Sequence, residues 1–416
     1  MMHTMPDDNA ARTVETCRKD FPALQRTLPS GRSLTYLDSA ATTLKPTPVL
    51  DVLDDYYRTC GANVHRAFHE LSEIATDRFE AARAAVARFI GAPDADTIVF
   101  TRGTTESLNT AASILAQAYL GENDRVLLSE MEHHSNLIPW QLASQRYGFA
   151  IDFVPVLPNG ELDLSTYDTL LTRQPRVVAL TQMSNVLGTI NPLEDMLNKA
   201  RDAGAVTVVD GAQSVPHFPV DVQALGCDFL AFSGHKMLGP TGIGVLYGRR
   251  ELLEELPPFL GGGEMINTVT LDTATWASVP HKFEAGTPPI AGAIGLGAAV
   301  SYLESLGIDN VRAHESALTN YTISVLKSIP GIRLFGEAAH RGGVISFIVE
   351  GVHPHDVAEF ANQAGVALRA GHMCAQPLIR KFDQPAVTRA SLYLYNTTDD
   401  IDRLAEALGE TIQFFA

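Results

Sequence analysis

Between residues 97 and 247 the chain repeats one pattern: a short apolar run, then a stretch whose apolar residues recur at helical spacing. The runs are TIVFT (97–101), VLLS (126–129), IDFVPV (151–156), VVALT (177–181), VTVVD (206–210), DFLAFS (228–233) and IGVLY (243–247). Leu108, Ala111, Ala112, Leu115 and Ala118 mark a helix between the first two, and Leu193, Met196, Leu197 and Ala200 mark another before VTVVD. Near-continuous apolar strands alternating with helices build a mostly parallel sheet covered on both faces. Seven such runs predict an α/β fold with a seven-stranded sheet. In such sheets ligands bind beyond the carboxyl ends of the strands, so polar residues just after an apolar run are the first to inspect.

The texture changes at 257–293, where PPFLGGGEM, FEAGTPP and GAIGLG bring dense Gly and Pro. This predicts a mobile or ligand-adjacent loop leading into a long helix. After about 304 the pattern is that of a smaller α/β unit: a helix to about 328, RLF (333–335), VISFIV (344–349), a helix near 355–364, VALRA, and a terminal helix from about 398. The 416 residues accommodate two domains. The expected division is a large domain over 31–303 and a small one over 304–416, joined by residues 1–30 as a helix and arm.

The charge balance of 31 basic against 48 acidic residues leaves −17, a surface that repels phosphate backbones and anionic lipid. Neither nucleic acid nor membrane is an expected partner. Cysteines 17, 60, 227 and 374 share no close spacing, which argues against both a disulfide framework and a zinc site and fits a reducing cytoplasm. The first residues lack a basic region followed by an apolar core, and the smoothest apolar stretch, Ile290 to Val300, is too short to cross a bilayer.

Three strand ends carry chemistry. Gly103-Thr104-Thr105-Glu106 follows TIVFT and opens a helix, where unpaired N–H groups and two hydroxyls can cradle a phosphate; a plain threonine cap with an acidic first turn explains it too. Asp210 closes VTVVD ahead of Gln213, and its carboxylate can neutralise a cationic ring nitrogen or simply cap the next helix. Ser233-Gly234-His235-Lys236 leaves DFLAFS, and burial of that lysine would expose a nucleophilic amine for a carbonyl cofactor. Together they supply what pyridoxal 5′-phosphate requires: an aldehyde partner, a pyridinium partner and a phosphate grip. No P-loop is present, GAIGLG at 292–297 has the wrong spacing for a dinucleotide fingerprint, and His133-His134 lacks a third ligand for a metal. Cys374 lies in the polar segment Arg369-Ala370-Gly371-His372-Met373-Cys374, beside basic groups that stabilise a thiolate. Arg389 can pair bidentately with a substrate carboxylate or form a surface ion pair.

These residues sit in eight ordered motifs: VHRAFHELS (64–72), TRGTTESLN (101–109), MEHHSNLIPWQ (131–141), MSNVLGTINP (183–192), VVDGAQSVPH (209–217), FSGHKMLGPTGIGVLY (232–247), FEAGTP (283–288) and RAGHMCAQPL (369–378). Taken together they resemble the group II cysteine desulfurases of the Suf/Csd type, sometimes described as selenocysteine lyases, within the class V aminotransferase branch of fold-type I pyridoxal-phosphate enzymes. The likeness runs from about Tyr36 to Asn396.

The resemblance implies roles for individual positions. Lys236 would form the Schiff base with the cofactor, Asp210 would pair with the pyridinium nitrogen, His133 would stack on the ring and shuttle protons, and Gln213 would bond the ring oxygen. Thr105, Ser233 and His235 would hold the phosphate with backbone help at Thr104 and a contribution from Thr287 of the partner subunit in a homodimer. Asn185 and Arg389 would hold the substrate carboxylate, with His65 and Arg369 near the substrate. Cys374 would accept sulfur from L-cysteine as a persulfide, leaving L-alanine, and an accessory acceptor protein would carry that sulfur towards iron–sulfur cluster assembly. Where the family carries histidine before the nucleophile this chain has Met373, with His372 one place earlier. Two alternatives remain: a selenocysteine lyase or other class V enzyme, and a binding scaffold that has kept the fold.

Overall fold

The structure is a computed structural model describing residues 13–65 and 67–416. All seven apolar runs become strands of one sheet: β1 (Ile98–Thr101), β2 (Arg125–Ser129), β3 (Ala150–Val154), β4 (Val177–Thr181), β5 (Val206–Asp210), β6 (Phe229–Ser233) and β7 (Gly244–Gly248). Their order is β1-β7-β6-β5-β4-β2-β3. Only β7 runs against its neighbours, so the sheet is mostly parallel. Every residue of β1, β4, β6 and β7 is buried, as expected of strands covered on both faces.

The helical spacing also holds. α1 (Thr104–Tyr119) buries Leu108, Ala111, Ala112 and Leu115, and α2 (Leu193–Asp202) buries Leu193, Met196, Leu197 and Ala200. Ala118 is exposed near the C-terminal end of α1, and Ile114 and Ala116 complete its buried stripe instead. The stretch 257–293 is only partly loop. Ile266–Val269 pairs with Ala274–Trp276 as a hairpin, because β-branched residues alternate there between the glycines. The long helix after it is α3 (Ile290–Leu306), apolar nearly all round and buried against the neighbouring helices.

The smaller unit carries α4 (Ile308–Ser328), α5 (Pro354–Gln363) and α6 (Thr398–Phe415) on a four-stranded antiparallel sheet. Its strands are β8 (Ile332–Phe335), β9 (Val344–Val349), β10 (Arg369–Gly371) and β11 (Val387–Ser391), in the order β8-β9-β11-β10. β11 was not expected as a strand: Thr388 and Arg389 break the apolar run that would mark a buried inner strand.

The arm at the start of the described chain is two short 3₁₀ turns, Cys17–Asp20 and Pro22–Gln25, instead of a regular helix. Arg18 binds Asp400 through two nitrogens (2.7 and 3.0 Å) and the Tyr395 carbonyl (2.6 Å), and Phe21 packs edge-on between Tyr302 and Tyr395. Thr35–Tyr36 then pairs with Val366–Ala367, and Leu37 joins the apolar cluster of Leu318, Ile345 and Phe347. The described part of the arm and residues 35–37 thus make contacts with the smaller unit; residues 1–12 of the expected arm lie outside the described residues. Among the described residues no single helix is long and apolar enough to cross a membrane.

Candidate active site

The carboxyl ends of β4, β5 and β6 and the start of α1 open into a cavity of about 600 Å³, closed from the other side by β10, β11 and the turn that follows β10. Of the fourteen residues singled out as a site, twelve line it; His65 and Thr287 do not. Residues from opposite ends of the chain thus meet across one space.

Lys236 ends the short turn Gly234–Lys236 after β6. The turn is clamped from both sides. A Cβ on Gly234 would lie 2.7 Å from the Ile243 side chain, and the His235 carbonyl accepts from the Thr43 amide and from Lys45 Nζ (2.9 and 3.1 Å). Burial pulls the Lys236 ammonium down to about 8, with Arg389 adding to the shift and Asp210 opposing it. Asp210 is buried, accepts from the Ala212 amide at 2.9 Å, and is pushed up by burial, with that amide and Lys236 opposing. A carboxyl in this state gains most from a cation placed against it.

The start of α1 is the polar end of the cavity. Thr104 N donates to Ser233 Oγ at 2.7 Å and the two hydroxyls lie 2.6 Å apart, while Thr105 Oγ1 meets Ser135 Oγ at 2.7 Å. The close approach requires glycine: a Cβ on Gly244 of β7 would stand 2.3 Å from the Gly103 Cα. His235 is driven down to about 4 by burial, then by Lys236 and Lys45. His133 goes down to about 3, burial first and Lys236 second, and its Nδ1 accepts from Ser135 N at 3.0 Å. Both rings are neutral near pH 7.

Beneath His133, Glu132 is buried with three donors: Ser129 Oγ (2.5 Å), Asn136 Nδ2 (2.7 Å) and Thr181 N (3.1 Å). Burial lifts it to about 8 against those bonds. The carboxyl ties the histidine loop to the end of β4.

Cys374 is the one exposed cysteine, and the other three are buried; all four are free. It follows Met373 in a turn where both residues have left-handed backbones, φ 52° and 54°. Three hydrogen bonds to the large unit hold this turn: His134 N to the Cys374 carbonyl (2.7 Å), Asn185 Nδ2 to the Met373 carbonyl (2.5 Å), and Gln376 N to His134 Nε2 (3.1 Å). Arg389 is buried; its Nη1 donates to the Asn185 carbonyl at 2.9 Å and its Nε has no hydrogen-bond partner among the described residues.

One placement departs from expectation. His65 stands away from the cavity, its Nε2 2.9 Å from Glu80 and its ring edge-on to His281 at 5.0 Å, because Glu80 offers it a carboxylate on the neighbouring helix. Thr287 is exposed and does not line this cavity; its expected role is in the site of a partner subunit. Gln213 lines the cavity, donates Nε2 to the Ala40 carbonyl at 2.9 Å and keeps a second N–H on that nitrogen for a further acceptor. Sequence reasoning missed Ser135, Glu132, His134 and Asp38. The first three lie in MEHHSN beside His133, and that doublet and its flanks were the available signal. Asp38 had none.

The class V aminotransferase family model matches residues 35–404. A probable cysteine desulfurase of Streptomyces coelicolor is 50% identical over 408 residues, 97% of this chain and 98% of that protein. The chain belongs to the class V aminotransferase family. A cysteine desulfurase of Dickeya dadantii is 48% identical over 95% of this chain and 96% of its own. Among solved structures, the Escherichia coli cysteine desulfurase CsdA in its S-sulfonic acid form superposes with a TM-score of 0.89 at 42% identity, covering 96% of this chain and 98% of that one. The apo cysteine desulfurase of Thermococcus onnurineus gives 0.92 at 38%, covering 99% and 100%. The family works with pyridoxal 5′-phosphate, and the donor set fits that group: an amine of lowered basicity, a buried carboxyl that forms no salt bridge among the described residues, and hydroxyls gathered at a helix start.

Proposed function

We propose that this chain is a pyridoxal-phosphate-dependent cysteine desulfurase that takes sulfur from L-cysteine, releases L-alanine and carries the sulfur as a persulfide on Cys374. The observation that carries this reading is that Lys236 and Cys374 line the same cavity although they come from different units of the fold. The names of the relatives agree with it.

The residues divide the work. Bound there, the cofactor would supply an electron sink for charge developing at the substrate Cα. Lys236 would hold the cofactor and move the Cα proton through Nζ, while Asp210 would secure the ring nitrogen and neutral His133 would cover the ring face. Thr104 N, Thr105, Ser233 and His235 would grip the phosphate, with Thr287 of the partner subunit completing that grip in a homodimer. Arg389 and Asn185 would orient the α-carboxylate, Arg389 through its unpartnered Nε. The Cys374 thiolate would then attack the substrate sulfur: the S–S bond forms as the Cβ–S bond breaks, and the electron pair stays with the carbon skeleton that leaves, once protonated, as alanine.

Exposure of Cys374 fits delivery of that sulfur to an acceptor protein serving iron–sulfur cluster assembly, and four free cysteines fit a cytoplasmic setting. The test is alanine and sulfide production from L-cysteine by the wild type and Cys374→Ser, with and without acceptor proteins. Turnover in the wild type and its loss in the variant are expected. A wild type inactive under both conditions overturns the assignment, and release of selenium from L-selenocysteine that survives in the variant would point to a lyase instead.

A further inference from the structure

The grip expected for the cofactor's phosphate holds no fixed cation. Thr104 N, Thr105 and Ser233 are neutral donors, and His235, driven down to about 4, is neutral near pH 7. Of the lysines and arginines that line the cavity, Lys236 is committed to the cofactor's aldehyde, while Arg369 and Arg389 are both held by Asp38, at 2.8 and 3.2 Å. A phosphate drawn out of water needs a counter-charge from elsewhere.

Lys45 stands behind that grip. Its Nζ donates to the Thr43 carbonyl at 2.6 Å and to the His235 carbonyl at 3.1 Å. The side chain is half-buried and does not line the cavity. Burial pulls the ammonium down to about 8, with no carboxylate among the described residues opposing it. Its charge nevertheless reaches the grip, where it adds to the lowering of the His235 imidazole after burial and Lys236.

The hydrogen bond alone does not explain a cation here. The His235 carbonyl also accepts from Thr43 N at 2.9 Å and from the Thr42 and Thr43 hydroxyls at 3.1 Å each. With Lys45 these are four donors for an oxygen that has two lone pairs, so the neutral ones suffice to hold the turn. The segment that carries them is itself tied down: Tyr36 Oη donates to the Thr42 carbonyl at 2.8 Å, and the Ala40 amide donates to Ser391 Oγ at 2.9 Å. What Lys45 adds to the threonines is positive charge.

We infer that Lys45 is a positioning residue for the cofactor's phosphate: an ammonium held behind His235 that supplies the counter-charge the neutral grip lacks, acting across the turn without touching the phosphate. This rests on the proposed placement of the phosphate against Thr104, Thr105, Ser233 and His235. An ammonium with no carboxylate of its own gains from the bound anion as much as the anion gains from it.

The experiment strips the full-length wild type, Lys45→Gln, Lys45→Met and Thr42→Val of cofactor and titrates each with pyridoxal 5′-phosphate and with pyridoxal, which has the aldehyde and no phosphate. Binding is read from the absorbance that the link to Lys236 produces, and urea denaturation shows that each cofactor-free chain is folded. In Lys45→Gln, which keeps an N–H for the Thr43 carbonyl, affinity for pyridoxal 5′-phosphate falls at least about tenfold while affinity for pyridoxal changes less than about twofold, as expected of one charge facing an anion across a partly desolvated turn. Lys45→Met gives the same change in the ratio of the two affinities, and where one lysine variant fails to fold the other carries the test. Thr42→Val, which removes a neutral donor from the same carbonyl, leaves that ratio unchanged. Equal weakening of both ligands in the lysine variants overturns the inference, since a brace on the Lys236 turn would act on both. Unchanged affinity for pyridoxal 5′-phosphate overturns it as well, and so does an equally selective loss in Thr42→Val. A wild type that takes up no pyridoxal 5′-phosphate removes the cofactor's placement and the inference with it, whereas one that takes it up and turns over no cysteine removes the proposed reaction alone.

Discussion

Lys236 and Cys374 face one cavity in opposite ways. The lysine sits on a clamped turn of the large unit, where desolvation lowers its basicity to about 8. The cysteine is exposed, on a turn of the small unit that keeps two non-glycine residues at positive φ. Such a backbone costs about 1–3 kcal/mol per residue and persists only where surrounding contacts over-determine it. Here those contacts are the bonds donated by His134 N and Asn185 Nδ2 and the one His134 Nε2 accepts from Gln376 N. In the proposed reaction, an amine that must shed its proton profits from burial, while a sulfur that must be handed on has to stay reachable. Each end of the cavity therefore has the solvent exposure its chemistry calls for.

The strongest way to break this contrast is Lys236→Ala. Turnover should fall by at least about a thousandfold, and the purified protein should lose the yellow colour that the cofactor's link to the amine produces. Cys374→Ser sharpens it: desulfuration should drop by at least about a hundredfold while the colour remains, as seen by absorbance and alanine release. Asn185→Ala removes a tie on the Met373 carbonyl, and a loosened cysteine turn should slow sulfur transfer about tenfold in single-turnover persulfide labelling, with the colour unchanged.

The smallest effect is a pH slope confined to the lysine end. In the cofactor-free protein the native Lys236 amine gives up its proton near 8 and the unfolded one near 10.5. Between those values the unfolded chain binds more protons, so stability rises with pH across that window and the burial cost is largest below it. Lys236→Met should flatten the rise measured by urea denaturation between pH 8 and 10, and Cys374→Ser should not.

Much of this was legible along the chain. Seven apolar runs became seven strands of one sheet, and Lys236, Asp210 and Thr104 were found because they follow such runs. The small unit was harder: β11 hides because Arg389 interrupts its apolar pattern while the fold buries that arginine against Asn185 and Asp38. The hairpin at 266–276 was masked by flanking glycines. His65 was placed near the substrate on likeness alone, and Glu80 holds it elsewhere in the single chain.

Periodicity and strand ends are local properties, carried by residues within a few positions of each other, so strand, helix and cofactor grip can be read from them. The ion pairing around Asp38 has no local signature. Asp38, Arg369 and Arg389 lie in three separate segments, none of which suggests the others. They become one group only when the paired strand at Thr35–Tyr36 and the register of β10 on β11 bring them within hydrogen-bonding distance. Electrostatic fit depends on distance in space, and that distance is set by the packing of one unit against the other.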